Sequence, residues 1–326
     1  MLLQSPQNWK DYELIDSGNF EKLERFGPYI LARPEPKALW DKSLPNSEWE
    51  SMAHTWFTTG AGFGRSGKED SGTWHMLKKM PEQWQIRYTP VGNIAKGGEE
   101  NLFGLDFKLR LGLTSFKHVG VFPEQSPNWD FIYEQSKDLT NIFKRRGSEV
   151  PKVLNLFAYT GAASLAAKAA GADVTHLDSV RQVVTWSKEN MELSNLNNIR
   201  WVVEDALKFV KREAKRGNLY NGLILDPPAY GHGPDGEKWK LDELLFELLI
   251  ECSKIVAPKD AFMVLNLYSN GYSALLADTA VRSAFGLLSV KDDKDLQGAK
   301  LSFGELVLRD NFGKAIPLSV FSRLRR

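Results

Sequence analysis

The chain has 326 residues, of which 42% are hydrophobic and 25% are charged, the composition of an ordinary globular protein. At this length, one large α/β domain with a smaller appended module is the expected arrangement. No apolar run approaches the ~18 residues of a membrane helix, and the start lacks the order of a signal peptide. We therefore expect a cytoplasmic protein with no membrane partner. A formal net charge of +1 excludes a strong overall attraction to nucleic acid.

Cysteine and histidine are too sparse for a disulfide or a thiolate metal cage. Cys252 is the one cysteine, which fits a reducing compartment. The five histidines are scattered, and no two of them have metal-ligand spacing. We therefore expect no structural metal.

Residues 1–112 predict a small β-rich (α+β) module, a candidate for substrate recognition. Six of the ten tryptophans lie in its first 90 residues, and they are typical of a core rather than of a stacking platform. Two segments, 84–88 and 105–111, alternate apolar and polar residues. This alternation predicts two neighbouring half-buried strands, joined through a turn at Gly97 and Gly98.

Residues 113–326 predict a Rossmann-like sheet with helices on both faces. From about Pro127, short apolar strands alternate with helical segments, the pattern of a parallel sheet. The last two apolar segments predict a closing antiparallel pair. The predicted parallel strands are 153–157, 173–178, 199–204, 221–226 and 261–267.

The turn after the first of these strands carries one glycine, Gly161. A dinucleotide site needs G-x-G-x-x-G so that the backbone can approach a pyrophosphate, so NAD and FAD are disfavoured. S-adenosylmethionine has no phosphate, and one tight turn lets backbone groups meet its methionine part. The predicted contacts in this turn are Phe157, Ala158, Tyr159, Thr160, Gly161 and Ala162.

Acidic residues end the next three strands, where ligands bind in open α/β sheets. Asp178, followed by Ser179, is predicted to accept the ribose hydroxyls. Asp205 is predicted to accept from the adenine amino group, with the Ala206 amide as a donor, and Asp226 is expected to line the same pocket. A single strand-end Asp can instead be a helix N-cap, but three in succession favour the cofactor.

These motifs resemble the large-subunit ribosomal-RNA methyltransferases of the cytosine-5 and guanine-7 type, over about residues 107–266. The resemblance rests on N-L-F-A-Y-T-G (155–161), the two following strand-end acids and D-P-P-A-Y (226–230). It implies a class I methyltransferase with a seven-stranded sheet, S-adenosylmethionine as cofactor and RNA as partner. Residues 118–126 match the family's G-x-F-x-D-Q-R segment, where only Gln125 carries over as a cofactor contact. No counterpart of the family's PUA domain is expected.

The D-P-P-A-Y segment is the candidate acceptor site. In amino-directed methyltransferases, an acid and a proline carbonyl hold the target amino group. Asp226 and the carbonyl of Pro227, in the rigid pair Pro227 and Pro228, fit that role, with Tyr230 stacking on a flipped-out base. The alternative is that Pro-Pro ends the strand and Tyr230 packs in the loop.

Two cysteine arguments disfavour cytosine-5 chemistry. Ser269 stands where the resemblance expects the nucleophilic cysteine, and a hydroxyl is a much weaker nucleophile. Cys252 lies on an apolar helical face, which predicts a buried core thiol.

The segment from Gly62 to Lys68 matches a P-loop pattern, but Glu69 replaces the Mg-binding hydroxyl, so we interpret it as a surface loop.

We therefore predict an S-adenosylmethionine-dependent methyltransferase that modifies a nucleobase nitrogen in RNA, with a role in rRNA processing. Two alternatives stay open: methylation of a protein side chain or small molecule, and a cofactor-binding module without catalysis. The sequence leaves the methylated atom and the oligomeric state undetermined.

Overall fold

The computed structural model describes residues 1–59, 71–90, 104–268, 271–288 and 299–326. The predicted Gly97–Gly98 turn, the loop from Gly62 to Lys68 and Ser269 lie outside these ranges. The chain forms two compact units. The larger unit contains Met1–Gln4, Gln125–Leu306 and Leu318–Arg326, and the N-terminal unit contains Ser5–Glu124 and Val307–Pro317.

Among its described residues, the N-terminal unit contains a five-stranded sheet, a strand pair and one helix, α1 (Asn46–Met52). The five-stranded sheet has the order β2-β3-β4-β5-β6: Tyr12–Gly18, Glu21–Phe26, Tyr29–Pro34, Thr55–Thr59 and Gly72–Met76. The pair is β7 (Gln83–Tyr88) with β8 (Phe107–Gly112). The predicted β-rich character is thus confirmed.

The pairing of β7 with β8 confirms the alternation seen in the sequence. The two strands are antiparallel, with Trp84 opposite Leu111 and Ile86 opposite Leu109. All four side chains are buried. Trp9 and Trp49 are buried as well, so tryptophan contributes to the core of this unit.

A buried carboxylate explains why residues 307–317 belong to this unit. The Asp16 carboxylate accepts hydrogen bonds from the Leu44 amide (2.9 Å), the Trp49 indole (2.9 Å) and the Lys314 ammonium (2.8 Å). Charge-assisted bonds of this kind are roughly twice as strong as neutral ones. Lys314 is therefore anchored to the N-terminal unit although it lies near the end of the chain.

The larger unit contains an eight-stranded sheet of order β1-β16-β17-β15-β12-β9-β10-β11. β9, β10, β11, β12 and β15 are parallel neighbours, and β17 runs antiparallel to β15. In chain order these strands are β1 (Leu2–Gln4), β9 (Lys152–Leu156), β10 (Asp173–Asp178), β11 (Ile199–Val203), β12 (Gly222–Leu225), β15 (Phe262–Tyr268), β16 (Lys300–Arg309) and β17 (Ala315–Arg325). The predicted Rossmann-like class is confirmed.

One strand extends the predicted seven-stranded sheet. β1 pairs in parallel with β16, with Leu2 opposite Gly304. A Cβ on Gly304 would lie 1.9 Å from the Leu2 carbonyl oxygen, so this close approach requires glycine. The eighth strand comes from the first residues of the chain, where no alternation predicts it.

Within the ranges that the structure describes, this unit also contains a short hairpin and the helices α2 to α7. The hairpin pairs β13 (Tyr230–His232) with β14 (Lys238–Lys240). The helices α2 to α7 are Ser126–Arg146, Ala162–Ala169, Arg181–Leu193, Ala206–Arg216, Leu241–Ser253 and Ala274–Ala284. No helix within the described ranges is long and apolar enough to span a membrane. Cys252 on α6 is fully buried in the core, as predicted.

Candidate functional site

The predicted site residues follow strands that end side by side. Leu156 of β9 pairs with Leu177 of β10 on one side and with Leu225 of β12 on the other. The chain continues from β9 to β10 in one direction and returns to β12 in the other, so strand order reverses at β9. Ligands of open α/β sheets bind at such a point.

The turn after β9 has an unusual backbone conformation. Phe157, Tyr159 and Gly161 have φ values of 55°, 48° and 93°, all in the left-handed region. For the two aromatic residues this conformation costs about 1–2 kcal/mol each. A Cβ on Gly161 would lie 3.1 Å from the Ser187 Cβ, so glycine also permits close packing here. Strain of this kind persists only where surrounding contacts hold it.

Helix α4 supplies two of those contacts. Ser187 Oγ donates to the Tyr159 carbonyl (2.6 Å), and Asn190 Nδ2 donates to the Thr160 carbonyl (2.9 Å). Both polar side chains are buried. Helix α4 therefore holds the backbone of this turn in its left-handed conformation. Neither residue was identified from the sequence.

Asp178 joins the end of β10 to the same turn. Its carboxylate accepts hydrogen bonds from the Tyr159 amide (3.0 Å) and from the Val180 amide (2.9 Å). Burial raises the pKa of Asp178 above its ordinary value, and the backbone N–H groups of Val180, Tyr159 and Ser179 oppose that rise. The side chain is half-buried, so a carboxylate oxygen can still meet a ligand hydroxyl.

A buried polar network lies beneath the turn. Asn155 Nδ2 donates to Ser164 Oγ (2.9 Å), which also hydrogen-bonds His176 Nδ1 (3.0 Å). Burial lowers the pKa of His176 to about 3, so this imidazole stays neutral at physiological pH. The network fixes β9, α3 and β10 relative to one another. In the sequence, the one polar residue of the apolar run 153–157, Asn155, is the feature that indicates this buried network.

Asp205 takes the capping position that the sequence left as its alternative. It precedes α5, and its Oδ1 accepts from the Lys208 amide (2.8 Å). An N-cap of this type stabilises a helix by about 1 kcal/mol. Ala206 is buried in the first turn of α5. Contacts of these two residues with adenine stay predictions.

Gln125 precedes α2 and is buried. Its side-chain oxygen accepts from Asn128 Nδ2 (2.8 Å), and Asn128 Oδ1 in turn accepts from Arg323 Nη2 (2.7 Å). These contacts anchor the start of α2 to β17. The cofactor contact of Gln125 stays a prediction.

The Asp226 carboxylate follows β12 and is half-buried. Its Oδ1 accepts from Asn266 Nδ2 (2.7 Å), and Asn266 Oδ1 accepts from Ser319 Oγ (3.0 Å). Burial raises the pKa of Asp226 to about 6, although the Asn266 hydrogen bond lowers it. A relay of three side chains thus orients one carboxylate at the sheet edge. Sequence analysis identified only its last member.

The two prolines leave the following aromatic residue in solvent. Pro227 is buried, and the Pro228 carbonyl accepts from the Trp239 indole N–H (2.7 Å). Tyr230 is 62% exposed at the start of β13. It therefore does not pack in the loop, which was the alternative left open by the sequence.

Trp239 connects this acceptor loop with the turn after β9. Its ring is buried and lies 4.9 Å, centroid to centroid, from that of Phe157. The same side chain therefore supports the Pro228 carbonyl and one of the left-handed residues of the turn. Trp239 was not identified from the sequence, because it lies on a strand of three residues, too short to show an alternating pattern.

The donor set fits S-adenosylmethionine. A left-handed turn with one glycine offers backbone groups to an amino acid, and the half-buried Asp178 carboxylate beside it is an acceptor for hydroxyls. Within the described ranges, no cluster of three metal-ligating side chains was found. The individual cofactor contacts stay predictions.

Relatives and solved structures place the chain among known proteins. A family model described as Conserved hypothetical protein 95 matches residues 136–254, less than half of the chain. The chain is 28% identical over 225 residues to the ribosomal RNA large subunit methyltransferase K/L of Pseudoalteromonas translucida. That match covers 67% of this chain and 29% of the relative. The chain thus spans less than a third of that relative's length.

Several solved structures match nearly the whole chain. SMU.776, complexed with SAH, has a TM-score of 0.66 at 16% identity, covering 98% of this chain and 76% of that chain, which shows the fold alone. The SAM-dependent methyltransferase from Agrobacterium tumefaciens has a TM-score of 0.81 at 34% identity, covering 100% of this chain and 93% of that chain. With this identity over almost the full length of both proteins, the chain belongs to the S-adenosylmethionine-dependent methyltransferases, which confirms the predicted cofactor and enzyme class.

Proposed function

We propose that this enzyme methylates a nitrogen of a nucleobase in RNA, with ribosomal RNA as the substrate class. The observation that carries the proposal is an oriented, half-buried Asp226 carboxylate four residues before an exposed Tyr230. A carboxylate that accepts N–H groups and an aromatic face that stacks on a base are together suited to a nucleobase.

The carboxylate of Asp226 holds the acceptor nitrogen. Asn266 occupies its Oδ1, so the other oxygen is the one directed at an incoming N–H group. S-adenosylmethionine, when bound, supplies an electrophilic methyl group on its sulfonium. The lone pair of the acceptor nitrogen forms the N–C bond as the C–S bond breaks, and the nitrogen's proton passes to Asp226. A carboxyl with a pKa of about 6 is ionised at neutral pH yet basic enough to take that proton.

Most of the remaining rate acceleration comes from positioning the acceptor nitrogen. Methyl transfer needs the acceptor in line with the bond that breaks, and effective molarity supplies much of the rate. Trp239 fixes the Pro228 carbonyl by a hydrogen bond and thereby holds the backbone of the loop that carries Tyr230. Tyr230 then stacks on the base, a contact worth about 1–3 kcal/mol.

The named relatives support the choice of substrate. The Pseudoalteromonas translucida protein and a 24% identical protein from Hahella chejuensis are both ribosomal RNA large subunit methyltransferases K/L. Ser269, at the position expected for a nucleophilic cysteine, favours a nitrogen over cytosine C5.

The test is transfer of a labelled methyl group from S-adenosylmethionine to total RNA of a strain that lacks the gene. Label should enter RNA, and hydrolysis to nucleosides should locate it on a base nitrogen. Tyr230→Ala should lower kcat/KM for RNA about 5- to 150-fold, the loss expected of a 1–3 kcal/mol stacking contact, with unchanged cofactor affinity.

Two controls separate stacking from other effects. Tyr230→Phe keeps the aromatic face and should retain most of the activity. Phe246→Ala removes another exposed aromatic, 47% exposed on α6, and should change nothing. Label in protein or small molecules but not in RNA would overturn the proposed substrate. Cofactor binding without transfer to any fraction would overturn catalysis itself.

A further inference from the structure

The N-terminal unit contains an open groove of about 720 Å³, lined by residues of the segment 6–14 that include Lys10 and Glu13, by Arg25, and by Leu308, Arg309 and Asn311. We propose that this basic groove binds the phosphate backbone of a single RNA strand. The inference rests on the proposed function and deepens it, because it assigns a substrate-binding surface outside the methyl-transfer site.

The charge of the groove is positive. Its lining contains Lys10, Arg25 and Arg309 against one acid, Glu13, so three positive charges less one negative leave +2. The whole chain has a net charge of only +1. Positive charge is thus concentrated on this surface, as in proteins that track a nucleic-acid backbone.

Two of these cations have no carboxylate partner in the part of the chain that the structure describes. Glu13 accepts from Arg25 Nε (3.0 Å) and from Asn311 Nδ2 (2.8 Å), so its charge is already compensated. Lys10 and Arg309 are both exposed, and the structure pairs neither with an acid. Their charges are available to phosphate oxygens.

Two packed aromatic side chains form the floor of the groove. Trp9 and Tyr12 are buried beneath it, with ring centroids 5.4 Å apart. The Trp9 indole N–H donates to the Arg87 carbonyl (2.7 Å), which fixes the ring. A fixed floor holds the cations in place, and less entropy is lost when a strand binds.

The composition of the lining favours RNA over a small apolar ligand. Pockets for small molecules have volumes of about 300–1,000 Å³ but are mostly apolar. Here cations and the amides of Asn8 and Asn311 face an open groove, which are the groups that contact phosphate and sugar. A base-directed enzyme also needs its target out of the duplex stack, which favours a single strand.

The test measures binding of the full chain to a fluorescein-labelled single-stranded RNA of mixed sequence at several salt concentrations. On single strands each phosphate contact contributes about 0.7 to the slope of log K against log salt, about fivefold in affinity at 0.1 M salt. The double variant Lys10→Ala/Arg309→Ala should therefore lower the slope by about 1.4 and the affinity about 25-fold. Lys79→Ala/Lys108→Ala removes two exposed lysines of the same unit outside the groove and should leave both unchanged.

Three readouts make the outcome decisive. Circular dichroism and the thermal midpoint should match wild type, since Lys10 and Arg309 are exposed. Cofactor affinity should also be unchanged, so failure of the methyltransferase function would be seen separately. An unchanged salt slope in the double variant would overturn the proposal, and so would an equal loss of affinity for a polyglutamate peptide, which would indicate an acidic protein partner instead.

Discussion

The hydrogen bond from Asn266 to Asp226 should set the pH at which the enzyme works. Asn266 is buried on β15 and donates to the carboxylate at 2.7 Å, which favours the charged form. With a pKa of about 6 for Asp226, kcat/KM should fall as the pH drops below about 6, because a protonated carboxyl can no longer accept the proton of the nucleobase.

Asn266→Ala removes that bond. A hydrogen bond to a charged group is worth about 1.5–3 kcal/mol, and 1.36 kcal/mol corresponds to one pH unit. The acidic limb of the profile should therefore move from about pH 6 to about pH 7–8. At pH 9 the variant should recover much of its activity, since the carboxyl is then ionised again.

The assay is methyl transfer to RNA between pH 5 and pH 9, with saturating cofactor. Ser319→Ala is the matched control, because Ser319 bonds Asn266 at 3.0 Å and does not contact Asp226, so its shift should be smaller. His176 cannot produce the limb, since its pKa is about 3. Burial raises the pKa of Glu124 to about 7, so the comparison of Asn266→Ala with wild type, and not the position of the limb alone, identifies Asp226. A limb at the same pH in Asn266→Ala and wild type would refute the role of Asp226.

Substitutions at Asp226, Asp178 and Trp239 test three other parts of the site. Asp226→Asn should abolish transfer yet stabilise the fold by up to about 3 kcal/mol at pH 8, because ionising a carboxyl whose pKa is raised from 3.8 to about 6 costs stability. That gain should appear as the pH rises from about 4 to 6 in urea unfolding, and a variant less stable than wild type at pH 8 would contradict it. Asp178→Ala should abolish cofactor binding in calorimetry, whereas Asp173→Ala, at the exposed start of β10, should not; wild-type affinity of the Asp178 variant would exclude the ribose contact. Trp239→Phe keeps a ring against Phe157 but loses the bond to the Pro228 carbonyl, so turnover on RNA should fall while cofactor affinity holds; the reverse result would assign Trp239 to the cofactor side.

Local patterns in the sequence predicted the strands that carry the site. Short apolar runs predicted β9, β10, β11 and β12, the last three of them followed by an acid, and the single Gly161 favoured S-adenosylmethionine over a dinucleotide. Helix α2 was missed, although Trp129, Ile132, Tyr133 and Ser136 have helical spacing and are buried, and Pro127 lies in its first turn. The sequence therefore contains the helical pattern of α2.

The supporting residues could not have been found in this way. Asn266 meets Asp226 because Leu225 pairs with Leu265, and that register joins strands forty residues apart. Ser319 reaches Asn266 only because β17 lies against β15. Likewise, Ser187 and Asn190 hold the turn after β9 from a helix whose sequence shows only an ordinary polar face. Pairing over long separations decides these contacts, and no local pattern contains it.

The pairing of β1 with β16 also affects how the protein is made. Leu2 is synthesised well before its partner Gly304, which follows it by about 300 residues. At roughly 5–20 residues per second, the first strand waits about 15–60 s before it can join the sheet. During that interval the leucines of β1 have no strand partner, and this edge of the sheet forms only after β16 has been synthesised.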